Sequence, residues 1–194
     1  MNFNIDSLFF PGMIFHELSH YIACLLCGVK IHKVKWVGKY EAYVVHDDVG
    51  PLQSTIISIA PFFLGNYFAF ELILLANHLL TTINPIIILY YWLAISLAYY
   101  SFPSDQDAKN AFISLKKHYK KKIFGKSTLT TKIIYLILAP IIFIPTMAIL
   151  GFMLIFSYLF ALRLIWVIVV IATATASNDF LNFLTMICQT LFNF

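Results

Sequence analysis

Long apolar stretches separated by short polar ones run the length of this chain. From Leu8 to Val29 the text LFFPGMIFHELSHYIACLLCGV is apolar except for one cluster. It is long enough to cross a hydrocarbon core, which takes about 20 residues as a helix. A first helix over residues 8 to 28 is therefore predicted. Next, KIHKVKWVGKYEAYVVHDD alternates apolar and polar residues, the period of a strand, and predicts a short β-hairpin turning near Gly38. A second helix is expected over 53 to 78 and a third, returning antiparallel after the brief TTIN loop, over 85 to 101. Pro103 breaks that run, and Ser104 or Asp105 is placed to cap the basic helix that follows. The apolar text from Ile133 to Ala176 is too long for one crossing and is divided near Ser157 to Arg163. The closing DFLNFLTMICQTLFNF reads as a short sixth span or an interfacial helix.

Composition changes the picture from buried helices to a different solvent. With 61% hydrophobic and 11% charged residues and a mean hydropathy of +0.84, the chain lies outside the range of soluble globular domains. The fold class expected is an all-α polytopic membrane protein of about five to six transmembrane helices with a small β-hairpin after the first. Its 194 residues form one membrane-embedded domain, with a core over 8–110 and C-terminal helices over 128–194. The N-terminal MNFNIDS lacks the basic region of a removable signal peptide. Three cysteines, Cys24, Cys27 and Cys188, do not make a disulfide framework.

Charge supplies orientation. Lys30, Lys33, Lys35 and Lys39 lie in the hairpin, and every other basic residue except Arg163 falls between Lys109 and Lys132. Basic loops face the cytoplasm, so odd-numbered spans end there and the N-terminus lies outside. The run KKHYKKKIFGK reads as a solvated helix attracted to anionic lipid, with no nucleic-acid partner.

The polar cluster inside the first helix carries the chemistry. HELSH matches H-E-x-x-H, in which His16 and His20, four residues apart, present imidazole nitrogens on one helical face to a single Zn²⁺. Glu17, adjacent and not a ligand, is then placed to take a proton from the attacking water. Ionisable groups within a span are costly and mark function. A catalytic zinc takes a third protein ligand, and FPSDQD offers Asp107 or Asp105 if the segment 102–107 dips inward. Cys24, one turn beyond His20, is the rival on the same helix. Asn66, counted from the cytoplasmic end of the second span, lies level with His16 and Glu17 and is a candidate to orient water or stabilise an oxyanion. Glu71 stands alone as an acidic residue in that span and is the further candidate ligand for a transporter or sensor site.

Together, FHELSHYIACLLCGVKI, the hairpin after it, APFFLGN and an Asp-bearing motif downstream resemble the site-2 protease family of intramembrane zinc metalloproteases, over residues 8 to 110. The resemblance implies a three-helix catalytic core, with His16, His20 and an Asp as zinc ligands and Glu17 as the catalytic carboxylate. The third motif departs from the Asn-Pro-Asp-Gly or Leu-Asp-Gly type. FPSDQDAKN is closer to the Pro-Ser-x-x-Asp form of small relatives, which favours Asp107 over Asp105. The expected activity is zinc metalloendopeptidase action on membrane proteins or peptides, with the hairpin pairing its edge to an extended substrate. A metal transporter or sensor using the same histidines, and an inactive substrate-binding relative, are the alternatives.

Overall fold

A computed structural model describes residues 8–36, 42–80 and 85–192, with 178–192 as backbone alone. Helix α1 (Phe10–Leu26) leads into a hairpin of β1 (Ile31–Lys35) and β2 (Tyr43–His46). There follow α2 (Pro51–Leu79), α3 (Pro85–Tyr99), α4 (Asp105–Phe124), α5 (Leu129–Tyr158) and α6 (Phe160–Phe192). The expected turn at Gly38 and the TTIN loop lie outside the described residues.

Local chemistry sets the boundaries that matter to the site. Prolines occupy the first turns of α1 and α2, where a missing N–H costs nothing and the fixed φ suits a helix. Helix α1 stops at Gly28, whose φ of 65° is in the left-handed region. The Gly28 N–H reaches the Leu25 carbonyl at 3.1 Å and the Val29 N–H reaches that of Cys24 at 2.8 Å, the paired closure that glycine permits at a helix end. Helix α4 opens on Ser104, whose hydroxyl accepts from the Asp107 N–H while the Asp107 carboxylate accepts from the Ser104 N–H. The hairpin is antiparallel, pairing Val34 with Val44 and Lys35 with Tyr43, with an irregularity between Ile31 and Lys33.

The long C-terminal apolar stretch divides at Leu159, within the expected window. Beyond it the chain departs from expectation. The last apolar segment is not a separate element, because α6 runs on through Ser177, Asn178 and Asp179 to Phe192. Those polar residues interrupt the hydropathy, but none is the proline that would break the helical ladder.

Helices α1, α2 and α3 pack on one another, α4 lies on α2, α5 on α4, and α6 against α2 and α3. Two glycines let the first three approach closely. A Cβ on Gly12 would stand 2.0 Å from the Ser96 carbonyl oxygen, and one on Gly65 would stand 3.0 Å from the Ser101 Cβ. The Gly12 N–H donates to the Ser96 hydroxyl at 3.0 Å, and that hydroxyl donates to the Phe9 carbonyl at 2.8 Å. Among the described residues, α2 is long and apolar enough to cross a membrane, and the bent α5 is a second such element if its two halves count as one span. Helix α3 and residues 161–177 of α6 are apolar but shorter.

Candidate metal centre

Three side chains from opposite ends of the core converge. The Nε2 atoms of His16 and His20 are 3.1 Å apart, and the Asp107 Oδ2 lies 3.4 Å from the first and 3.3 Å from the second. Both histidines are inside, at 8% and 5% exposure. On α1 the four-residue spacing stacks the rings edge to face with centroids 4.8 Å apart. Asp107 arrives because the connection from α3 to α4 turns inward, with Ser101, Phe102 and Pro103 all buried. The capping bonds hold its carboxylate: the Ser104 N–H at 2.7 Å and the Ser104 hydroxyl at 2.6 Å both donate to Oδ2. The Ser58 hydroxyl of α2 donates to the Asp107 backbone carbonyl at 2.9 Å and ties the turn down.

The proton inventory makes this a place for a cation. The His16 Nδ1 is 2.8 Å from the Tyr100 carbonyl oxygen, and the His20 Nδ1 is 2.8 Å from that of Ile57. A carbonyl only accepts, so each Nδ1 carries its hydrogen and a neutral ring turns its Nε2 lone pair inward. Two lone pairs and a carboxylate oxygen then face one another with no donor between them. An ion held tetrahedrally at 2.0–2.1 Å separates its ligand atoms by about 3.3 Å, the spacing found here. Carbonyl partners on the outer ring nitrogens are also what metal-binding histidines ordinarily have. His16, His20 and Asp107 thus form a group that could hold a metal ion.

Glu17 faces the same space without joining the cluster. It lines a cavity of about 370 Å³ with His20, Asp107, Tyr43, Val44, Ser54 and Ser58, which places the β2 edge beside the site. The other candidates are elsewhere. Asp105 faces outward in an ion pair with Lys109, which lowers its pKa. Cys24 is enclosed in an apolar cluster with Ala23, Val29, Ile57 and Ala60. Asn66 is not among the residues that line the cavity. Its Nδ2 donates to the Phe62 carbonyl at 2.7 Å, and its Oδ1 accepts from Trp166 of α6 at 2.8 Å. Glu71 is not among the cavity residues.

Sequence reasoning passed over Ser54, Ser58, His46 and Asn110, all of which line this cavity. Ser54 and Ser58 share a face of α2 at four-residue spacing, a signal that small polar residues in an apolar span carry for any inward-facing surface. No protein-family model, curated protein or solved structure matches the chain.

Proposed function

We propose that this chain is an intramembrane zinc metalloendopeptidase of the site-2 protease kind, acting on membrane proteins or membrane-bound peptides. The observation that carries the reading is the triangle of His16, His20 and Asp107 with Glu17 on the wall of the same cavity. A transport or sensing site needs the triangle but has no use for a carboxylate beside it on the wall of the same cavity.

Zinc held by these residues supplies Lewis acidity toward a peptide carbonyl and lowers the pKa of water toward 7. The protein's own groups do the rest. Tyr100 and Ile57 fix the imidazole tautomers, so the lone pairs are ready without reorganisation. Ser104 fixes the Asp107 carboxylate. Glu17 accepts a proton from the attacking water and delivers it to the departing amine. The free edge of β2 beside Glu17 suits an extended substrate segment, which a helical substrate offers only after local unwinding.

A membrane setting follows from the outer surface. Phe63 and Leu75 on α2, Ile88 on α3, Ile137 on α5 and Ile168 on α6 are all exposed. Large apolar side chains spread round several helices match lipid better than water, and α4 with its lysines lies outside the spans on the cytoplasmic side.

Glu17→Gln is the discriminating variant. It should retain about one zinc per chain, measured by elemental analysis of purified protein, while hydrolysis of a membrane-peptide substrate drops about 10²- to 10⁴-fold. Full hydrolysis by this variant, or stoichiometric zinc in the doubly substituted His16→Ala, His20→Ala protein, would end the reading.

A further inference from the structure

The directions of the last three helices follow from their contacts. Helix α4 runs antiparallel to α2: the Ser58 hydroxyl donates to the Asp107 carbonyl at 2.9 Å, the Ser114 hydroxyl to the Val49 carbonyl at 3.0 Å, and Lys117 pairs with Asp48 at 3.6 Å. Helix α5 returns antiparallel to α4. Tyr135 packs on Tyr119 with ring centroids 5.8 Å apart, Phe143 on Phe112 at 6.4 Å, and Leu150 clusters with Ala108 and Ala111. Helix α5 therefore runs parallel to α2. Helix α6 starts at the end of α3, where Arg163 lies over the Tyr99 ring at 5.4 Å and Trp166 packs on Phe102 at 5.6 Å. Trp166 also donates to Asn66, and beyond it Val170 and Ala174 share a core with Ala69 and Ile73, further along α2. Helix α6 thus runs parallel to α2 as well.

Two consecutive helices that run the same way are not two antiparallel crossings. As helix, Ile133 to Ala176 measures about 66 Å, against about 30 Å for a hydrocarbon core, so half of that length has to lie outside the core. The first half of α5 is the part that does, because it lies beside the exposed Lys116, Lys117, Lys120 and Lys121 of α4, and lysines in hydrocarbon are costly. Yet Ile134, Ile137 and Ile141 are 47%, 60% and 63% exposed there, which water disfavours. Bare isoleucines beside a row of lysines match the headgroup boundary of an anionic bilayer. The seam between the two helices agrees: the Lys122 Nζ lies 5.7 Å from the Tyr135 ring centroid and the Lys116 Nζ 5.8 Å from that of Phe112, the pairing of ammonium and aromatic ring that suits this boundary.

We infer that α5 and α6 make one membrane crossing between them, and that the first half of α5, with the basic end of α4, is an arm seated on the anionic lipid of the cytoplasmic leaflet. The chain then crosses four times, and α6 leaves the membrane on the outer side. Arg163, the one basic residue apart from the hairpin and the run from Lys109 to Lys132, joins them in the cytoplasmic half. Asp107 stands in the first turn of the same helix whose last turns the leaflet holds, so the arm steadies the helix that brings the third corner of the triangle. The inference uses the proposed placement of α4 and is independent of the peptidase reading.

Sidedness and depth test it without any hydrolysis. In a protein whose own cysteines have been replaced, a cysteine at Lys126 and one on a polar tail added after Phe194 are probed separately with an impermeant maleimide in sealed vesicles. They should react from opposite faces, whichever face each proves to be. Reaction of both from one face, the result of two separate crossings, overturns the inference. Nitroxides in place of Ile137 and Tyr158 then report depth in vesicles of phosphatidylcholine and phosphatidylglycerol, through collisions with oxygen and with a nickel complex. Tyr158 should be the deeper of the two; two separate crossings reverse the order and overturn the inference. In phosphatidylcholine alone the nitroxide at Ile137 should gain access to the nickel complex, because the lysines lose the charge that draws the arm down. The combined Lys116→Gln, Lys120→Gln, Lys121→Gln protein should show the same gain in the mixed vesicles. No gain in either case, or a nitroxide at Ile137 shielded from both probes as in a protein interface, overturns the seat on the leaflet.

Discussion

Each imidazole in the cluster has its Nδ1 proton committed to a carbonyl oxygen, so the atom left to take up another proton is Nε2, the one that faces the Asp107 carboxylate. On the proposed metal site, protons and zinc compete for the same lone pair. Zinc retention should therefore fall as pH drops, because each proton taken up at Nε2 removes a ligand atom. Zinc content after dialysis over a pH series checks this; retention independent of pH would place the metal on other groups. The two aspartates separate as sharply. Asp107→Ala removes one corner of the triangle together with the partner of Ser104, and zinc affinity should collapse. Asp105→Ala removes an exposed pair with Lys109 that solvent screens, and should leave zinc content as it was. The metal content of the two variants, side by side, decides.

At the scale of the element, the site depends on how tightly α1 lies on α3. Gly12 sits two residues inside α1, where its N–H bonds Ser96 and its missing Cβ leaves room for the Ser96 carbonyl. Gly12→Ala should push the helices apart, tilt His16 away from the Tyr100 carbonyl and lower both thermal stability and zinc retention. Gly151 in α5 is the control, because a Cβ there meets nothing within 4 Å. Gly151→Ala should be neutral or stabilise by about 0.5–1 kcal/mol through the helix preference of alanine. Thermal unfolding of both variants with zinc present tests the contrast; equal loss in the two would mean that the α1–α3 approach does not hold the site together.

For the whole molecule the basic residues give a direction. In the proposed topology the N-terminus lies outside and α4 with its lysines lies on the cytoplasmic face. In a protein whose own cysteines have been replaced, a single cysteine at Lys126 should react with an impermeant maleimide only when the cytoplasmic face is accessible. A cysteine at Asn2 should react from the other face. Labelling of both from one side would reverse or abolish the proposed topology.

How much was legible beforehand follows from the range of the interactions. HELSH is a local signal: three side chains on one turn need only helical geometry, so His16, His20 and Glu17 were identifiable from spacing. Ser104 as a cap and the division near Leu159 were local too. Asp107 was one of several candidates until the buried turn of Ser101 to Pro103 carried it across to α1 and left Asp105 facing Lys109 outside. Asn66 shows the limit of counting along an axis, which gives depth but not the direction of a side chain. Packing against α6 gave Trp166 to Asn66 and turned it from the cavity. The unbroken α6 was hidden because hydropathy dips at polar residues that a helix tolerates. The sequence by itself determined the chemistry of one turn of α1, since neighbours in a helix are neighbours in space. The tertiary structure decided which distant oxygen completes the triangle and which small polar groups share its cavity. Those pairings join residues up to 91 positions apart, and only the packing of α1, α2 and α4 brings them together.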